Sequence, residues 1–206
     1  MLTVLTKLYP MGVKERRERQ REEIRASILS TAWQMVKEDG WQSLSMRKIA
    51  DAIEYSAPVI YDHFENKEAI LQEFAIDGFR LLSKKIQQAK AKHNQPTEQL
   101  KAVADAYWNF ASKNREYYQL MYGLGMPGCE IEKCFPEKAG FRDVVLEPIS
   151  AIISKGKSPG INPCLKYYTF WSILHGLISI KNMNVSDDVN KMVMDDAIEG
   201  FVKNLG

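Results

Sequence analysis

With 206 residues, 45% of them hydrophobic and 26% charged, the chain is long enough for one large or two small globular domains and too apolar to remain disordered. Its longest strongly apolar run covers residues 170–180, well short of the roughly 20 residues that cross a bilayer, so no transmembrane helix is expected. The net charge of +2 is too small to attract nucleic acid in bulk, so a case for DNA has to come from where the basic residues stand.

Residues 1–18 are expected to be a flexible extension. Their opening, MLTVLTKLYP, lacks the basic n-region and small-residue cleavage site of a signal peptide, which leaves either an extension or an upstream start with Met11 as the true first residue. A first helix is expected over 19–39, where Ile24, Ile28, Ala32 and Met35 return every three or four residues and Gly40 stands as the stop. Ser45 is an N-cap for a short second helix over 46–52. Ser56 caps a third, with Pro58 in its first turn, where a missing N–H costs nothing; it ends near Phe64. Asn66 opens a longer fourth helix over 67–92, with Gly78 as a soft point.

A fifth helix follows Pro96 and places Leu100, Val103, Ala104, Tyr107 and Ala111 on one face, and Asn114 restarts a sixth, rich in aromatics. Residues 123–140 are dense in Gly, Pro and mixed charge and read as a long loop of the kind that covers a site. That loop holds Cys129 and Cys134, two of three cysteines. The odd count and the lack of C-x-x-C spacing argue against a disulfide framework or zinc site and for a reducing cytoplasm. Phe141, Val144, Val145, Ile149 and Ile152 mark a seventh helix, kinked at Pro148. An eighth opens at Asn162-Pro163 and runs to about residue 182, apolar on most of its circumference and therefore buried on more than one side. Ser186 with Asp187 and Asp188 starts a ninth. No segment alternates like a strand. The fold class is all-α with about nine helices, and the two long apolar C-terminal helices suit a homodimer seam.

One long and two short helices, the short pair joined by a tight turn, have the proportions of a helix-turn-helix. The second short helix offers Ser56, Ala57, Val59, Tyr61, Asp62 and His63 outward of Ile60 and Phe64. Small residues at its start allow close approach to base edges, and Tyr61 and His63 can donate to phosphate oxygens. Arg47 and Lys48 stand one helix earlier. Lys67 sits at the N-terminus of the next helix, where backbone N–H groups also attract phosphate.

These residues lie within LSMRKIADAIEYSAPVIYDHFENKEAIL, residues 44–71, which resembles the N-terminal domain of TetR-family transcriptional repressors; the resemblance runs in order from Ile24 to about Phe74. It implies a DNA-binding helix-turn-helix domain over 19–74 and a ligand-binding and dimerisation domain over 75–206. It implies further that Ser45, Tyr61, His63 and Lys67 touch the DNA backbone, that Arg47, Ala57 and Val59 lie where the family reads bases, and that helices four to eight enclose a small-molecule pocket. WSILHGL, residues 171–177, is similar to a Trp…His-Gly signature of one C-terminal subgroup. Two places depart from the family pattern. Glu54 and Tyr55 fill a turn where Gly is common, which asks Glu54 for a left-handed conformation at about 1 kcal/mol, and Pro58 replaces a frequent Gly or Ser and stiffens the helix.

The basic run Lys14, Arg16, Arg17, Arg19, Arg21 and Arg25 is interleaved with Glu15, Glu18, Glu22 and Glu23. It reads either as an arm reaching a groove or as a solvated, salt-bridged helix start. In the C-terminal part, Trp108, Tyr118, Met121, Tyr122, Trp171 and His175 are the candidate ligand contacts, because many tyrosine hydroxyls in apolar segments suit a cavity with polar handles. Trp171 and His175, four apart, share a helix face.

Against an enzyme stand three scattered histidines, none in a metal-ligand pair, and the lack of a G-x-S-x-G or P-loop motif. No cofactor or metal is expected; a Cys129–Cys134 redox pair stays open. The expected function is a ligand-responsive repressor that binds a palindromic double-stranded DNA operator as a homodimer and is released by a small molecule. The alternative is a ligand-binding or interaction dimer whose helix-turn-helix no longer binds DNA. Glu54 speaks for it, as does the balance of 12 basic against 13 acidic residues over 1–80.

Overall fold

The computed structural model describes residues 12–123, 136–156, 160–181 and 187–205. Among these the helical periods are realised and no strand occurs. The helices are α1 (Val13–Asp39), α2 (Met46–Ala52), α3 (Ala57–Tyr61), α4 (Lys67–Lys90), α5 (Pro96–Lys113), α6 (Arg115–Gly123), α7 (Pro136–Lys155), α8 (Pro163–Lys181) and α9 (Asp187–Lys203). They group into two compact units, Met1–Leu71 and Gln72–Gly206. No described helix is long and apolar enough to cross a membrane. Met11, Cys129, Cys134 and Ser186 lie outside the described residues.

In the first unit, Ile28, Ala32 and Val36 return every four residues along α1 and are sealed from solvent, together with Met46, Ile49 and Ala50 of α2 and Ile60 of α3. Burial of each isoleucine contributes about 1.5–3 kcal/mol. That packing holds α2 and α3, which are far too short to be helical alone. Gly40, at φ 80, ends α1 as its sequence position suggested, with its N–H on the Val36 carbonyl at 3.0 Å. At the other end α1 begins at Val13 rather than at residue 19. Two polar interactions support the extra turns: the Gly12 N–H donates to the Glu15 carboxylate at 3.0 Å, and Lys14 pairs with Glu18 at 3.9 Å.

In the second unit α5 is central, packing on α6, α7, α8 and α9. Its expected face, Leu100, Val103, Ala104, Tyr107 and Ala111, is buried. α7 starts at Pro136, so residues 136–140 are helical rather than loop; proline suits a first helical position, where its missing N–H is not needed. The helix runs unbroken through Pro148. Asn162 caps α8 by accepting the N–H groups of Cys164 and Leu165 at 2.9 and 3.3 Å. The apolar circumference of α8 is only partly covered within one chain: Leu165, Tyr168 and Ile180 face solvent, as do Val189, Met192 and Val193 of α9.

Candidate nucleic-acid interface and aromatic cluster

The turn between α2 and α3 is closed by two backbone bonds, Tyr55 N–H to the Ala50 carbonyl at 3.0 Å and Glu54 N–H to that of Asp51 at 3.3 Å. This is the Schellman pattern, and it places Glu54 at φ 59, the left-handed conformation asked of it. The turn therefore keeps its geometry with glutamate in the position that favours glycine.

Around this turn the nine sequence-derived DNA residues fall into distinct environments. Ser45 is the N-cap of α2, accepting the Lys48 N–H at 3.2 Å, which leaves its O–H able to donate outward. Arg47 is exposed, as is Lys48, whose Nζ reaches the Ser43 carbonyl at 3.4 Å. Ser56 precedes α3 with an extended backbone and no side-chain cap bond, so its hydroxyl is free at the helix start. Ala57 and Val59 are half-buried, and Tyr61 is 54% exposed with its phenol in solvent. Lys67 opens α4 beside Asn66, whose Oδ1 accepts the Ala69 N–H at 2.8 Å.

His63 is different. Its Nδ1 is buried without a hydrogen-bond partner, an arrangement that costs about 1–3 kcal/mol. Burial and the nearby Arg21 guanidinium push its pKa below the usual histidine value, with Asp62 opposing and Arg25 adding to the shift.

In the second unit, Tyr118 of α6 and His175 of α8 meet at 2.6 Å between Oη and Nδ1. Burial raises the Tyr118 pKa and pushes that of Tyr122 up to about 12, so both phenols keep their protons. A protonated Tyr118 hydroxyl can donate to a bare Nδ1 or accept from an Nδ1–H, according to the imidazole tautomer. Tyr107, fully buried, donates to the Tyr122 hydroxyl at 3.2 Å. Trp171 stacks on His175 with centroids 5.1 Å apart and an interplanar angle of 21°, and Tyr122 meets the same imidazole edge-on at 4.9 Å.

The structure thus brings together four of the six candidate ligand contacts: Tyr118, Tyr122, Trp171 and His175. Met121 lies beside them against Gly78 of α4. Trp108 does not join; its ring lies under the Lys181 ammonium at 5.0 Å, where Lys181 also donates to Ser112 Oγ at 2.7 Å. Tyr107 and Phe141, 5.5 Å apart, belong to the cluster but were not among those six candidates. A tyrosine at the centre of a buried α5 face was the available signal for the first. Chemically, the cluster is a packed apolar region of the second unit that carries hydrogen-bonded hydroxyls and one imidazole. Among the described residues no three His, Cys, Asp or Glu side chains are grouped to hold a metal ion.

Residues 28–74 match the family of bacterial regulatory proteins termed tetR, and residues 100–189 match the tetracyclin repressor-like C-terminal domain; together the matches span about two thirds of the chain. An uncharacterized HTH-type transcriptional regulator of Mycobacterium tuberculosis is 22% identical over 169 residues, 81% of this chain and 73% of that protein. The HTH-type transcriptional activator FasR of Mycolicibacterium smegmatis is 29% identical over 118 residues, 55% of this chain and 52% of its own length. The fold is shared with the transcriptional regulator FadR from Bacillus subtilis, solved in complex with stearoyl-CoA: the TM-score is 0.68 at 16% identity, covering 86% of this chain and 97% of that one.

Proposed function

The chain belongs to the TetR family, whose members are transcriptional regulators rather than enzymes, and from that footing we propose that it is a ligand-responsive repressor. It binds a palindromic operator as a homodimer, and a small molecule held in the second unit releases it. The observation that carries the reading is the α2–turn–α3 helix-turn-helix, with Arg47, Ser56 and Tyr61 open to solvent around an intact turn. Two such heads per dimer would read half-sites about 34–36 Å apart or somewhat more. Glu54, the main sequence argument for a domain that has lost DNA, leaves that turn undisturbed.

The dimer reading is supported by the outward apolar side chains of α8 and α9, among them Leu165 at 65% and Met192 at 71% exposure. Side chains of that size on adjacent helices suit an isologous seam with a second copy. For the ligand, the Tyr118–His175 and Tyr107–Tyr122 bonds inside an apolar core suit an acyl chain ending in a polar carbonyl group. The FadR fold neighbour was solved with stearoyl-CoA, which makes long-chain acyl thioesters the first class to test. Ligand affinity that differs between two arrangements would lower DNA affinity by the same factor, with α4, which carries residues of both units, as the transmitting element.

Fluorescence anisotropy of the full chain on the DNA flanking its own gene, against random duplex of equal length, tests the reading. Specific binding that falls as stearoyl-CoA is added supports it. Specific DNA binding without response to any acyl thioester removes the ligand class, and absence of DNA binding at low salt removes the regulator reading.

A further inference from the structure

A cleft of about 520 Å³ opens between the early turns of α1, through Arg17, Gln20, Arg21 and Ile24, and the end of α3, through Val59, Asp62 and His63. The interleaved charges of α1 suggested a salt-bridged surface, and Lys14 does pair with Glu18. Arg17 and Arg21 do not: among the described residues neither makes an ion pair, and Arg21 instead donates from Nη2 to the Asp62 carbonyl at 3.3 Å. That bond fixes one guanidinium at the end of α3. On the opposite wall stands His63, with Nδ1 buried and unpartnered. Two guanidinium groups, a carboxamide and an imidazole therefore line one space that contains a single carboxylate, Asp62.

We propose that this cleft seats a phosphodiester of the operator backbone, held by Arg17, Gln20 and Arg21 from α1 and by His63 from the α3 side. The proposal rests on the DNA-binding reading and extends it to a second element, since α1 contributes as a helical wall and not as an arm in a groove. Guanidinium groups match phosphate oxygens in paired hydrogen bonds. The cleft is walled by the helix that would enter the major groove, and phosphate contacts beside such a helix set its register on the duplex. Asp62 faces the same space as the one opposing charge, so it weakens the seat that the arginines build.

The test uses the full chain and two duplexes, the flank of its own gene and random DNA, over a range of salt concentrations. The paired substitution Arg17→Ala with Arg21→Ala is expected to lower affinity for both duplexes about equally, by tenfold or more, and to flatten the log–log salt slope by about 1–2. Asp62→Asn is expected to raise affinity for both. This opposite sign separates the seat from mere loss of fold, and circular dichroism with thermal melting of each variant checks the fold directly. Retention of the wild-type slope in the arginine pair overturns the proposal, as does a loss confined to one sequence or an Asp62→Asn variant that binds more weakly. If the unaltered protein binds neither duplex, the DNA reading fails and the phosphate seat with it; if it binds and only the variants behave like wild type, the seat alone fails.

Discussion

Tyr118 and His175, separated by 57 positions, are joined across α6 and α8 by a 2.6 Å hydrogen bond between a protonated phenol and the imidazole Nδ1. It is a polar contact within an apolar core, where a polar group deprived of its partner is costly. Substituting Tyr118→Phe removes the hydroxyl and keeps the ring. A loss of about 1–3 kcal/mol is expected in urea denaturation. A double-mutant cycle with His175→Leu should give a coupling above about 0.5 kcal/mol, and simple additivity would show that the bond contributes nothing of its own.

Gly78 permits a close approach. A Cβ placed there would lie 2.7 Å from Met121 Sδ, 3.0 Å from its Cγ and 3.3 Å from Tyr117 Cβ. Alanine normally improves a helix interior by about 1 kcal/mol over glycine, yet here the crowding should outweigh that gain and give a net loss of about 1–3 kcal/mol. Adding Met121→Ala to Gly78→Ala should recover part of it. A Gly78→Ala protein that melts higher than wild type would contradict the packing of α4 on α6.

At Glu54 the sign is reversed. Its φ of 59 is the left-handed region that a side chain disfavours, so Glu54→Gly should stabilise the first unit by up to about 1 kcal/mol, read as a higher melting midpoint. A lower midpoint would mean that the carboxylate makes a compensating contact in the turn.

His63 gives the first unit a pH dependence. Its folded pKa lies below the unfolded value of 6.5, through burial and the charges of Arg21 and Arg25 against Asp62. The unfolded chain therefore takes up the proton first. The contribution to stability is complete above pH 6.5 and falls as the pH drops toward and through the folded value. Melting midpoints between pH 7.5 and 5 should decline more steeply for wild type than for His63→Gln. Parallel curves would remove His63 as the source.

The exposed apolar side chains of α8 and α9 predict the assembly. Leu165→Glu combined with Met192→Glu should convert a dimer into a folded monomer by light scattering coupled to size exclusion, and should weaken operator binding with it. A variant that stays dimeric would place the seam elsewhere.

Much of the fold was legible because its signals are local and apolar. Ile28, Ala32 and Val36 mark one face of α1, and the side chains of Ser45, Asn66 and Asn162 accept helix-starting N–H groups where their sequence positions suggested. The early start of α1 was hidden because Glu15 and Lys14 support it through charge, which an apolar period does not register. Pro136 read as a breaker although it begins a helix. Trp108 is one residue step, about 100° around the axis, from Tyr107, and the cation it meets, Lys181, lies 73 positions on, beyond any local pattern. His175 and Trp171 could be paired by spacing, but their meeting with Tyr118 and Tyr122 depends on contacts between distant helices. The cleft beside His63 has no local sequence pattern for the same reason, since Arg21 and Asp62 are 41 positions apart.

Under the ligand-responsive reading proposed above, the bonded tyrosines would also act as a filter on what can enter. A saturated hydrocarbon lodged between α6 and α8 would bury apolar surface as well as any fatty chain, yet it would part Tyr118 from His175 and offer nothing in return. Each stranded polar group would cost about 1–3 kcal/mol, roughly 5- to 150-fold in affinity. A guest with an oxygen acceptor at the right depth avoids that loss. A core that holds a ligand in this way would discriminate by the position of a polar atom along the chain, a distinction that greasiness alone cannot make.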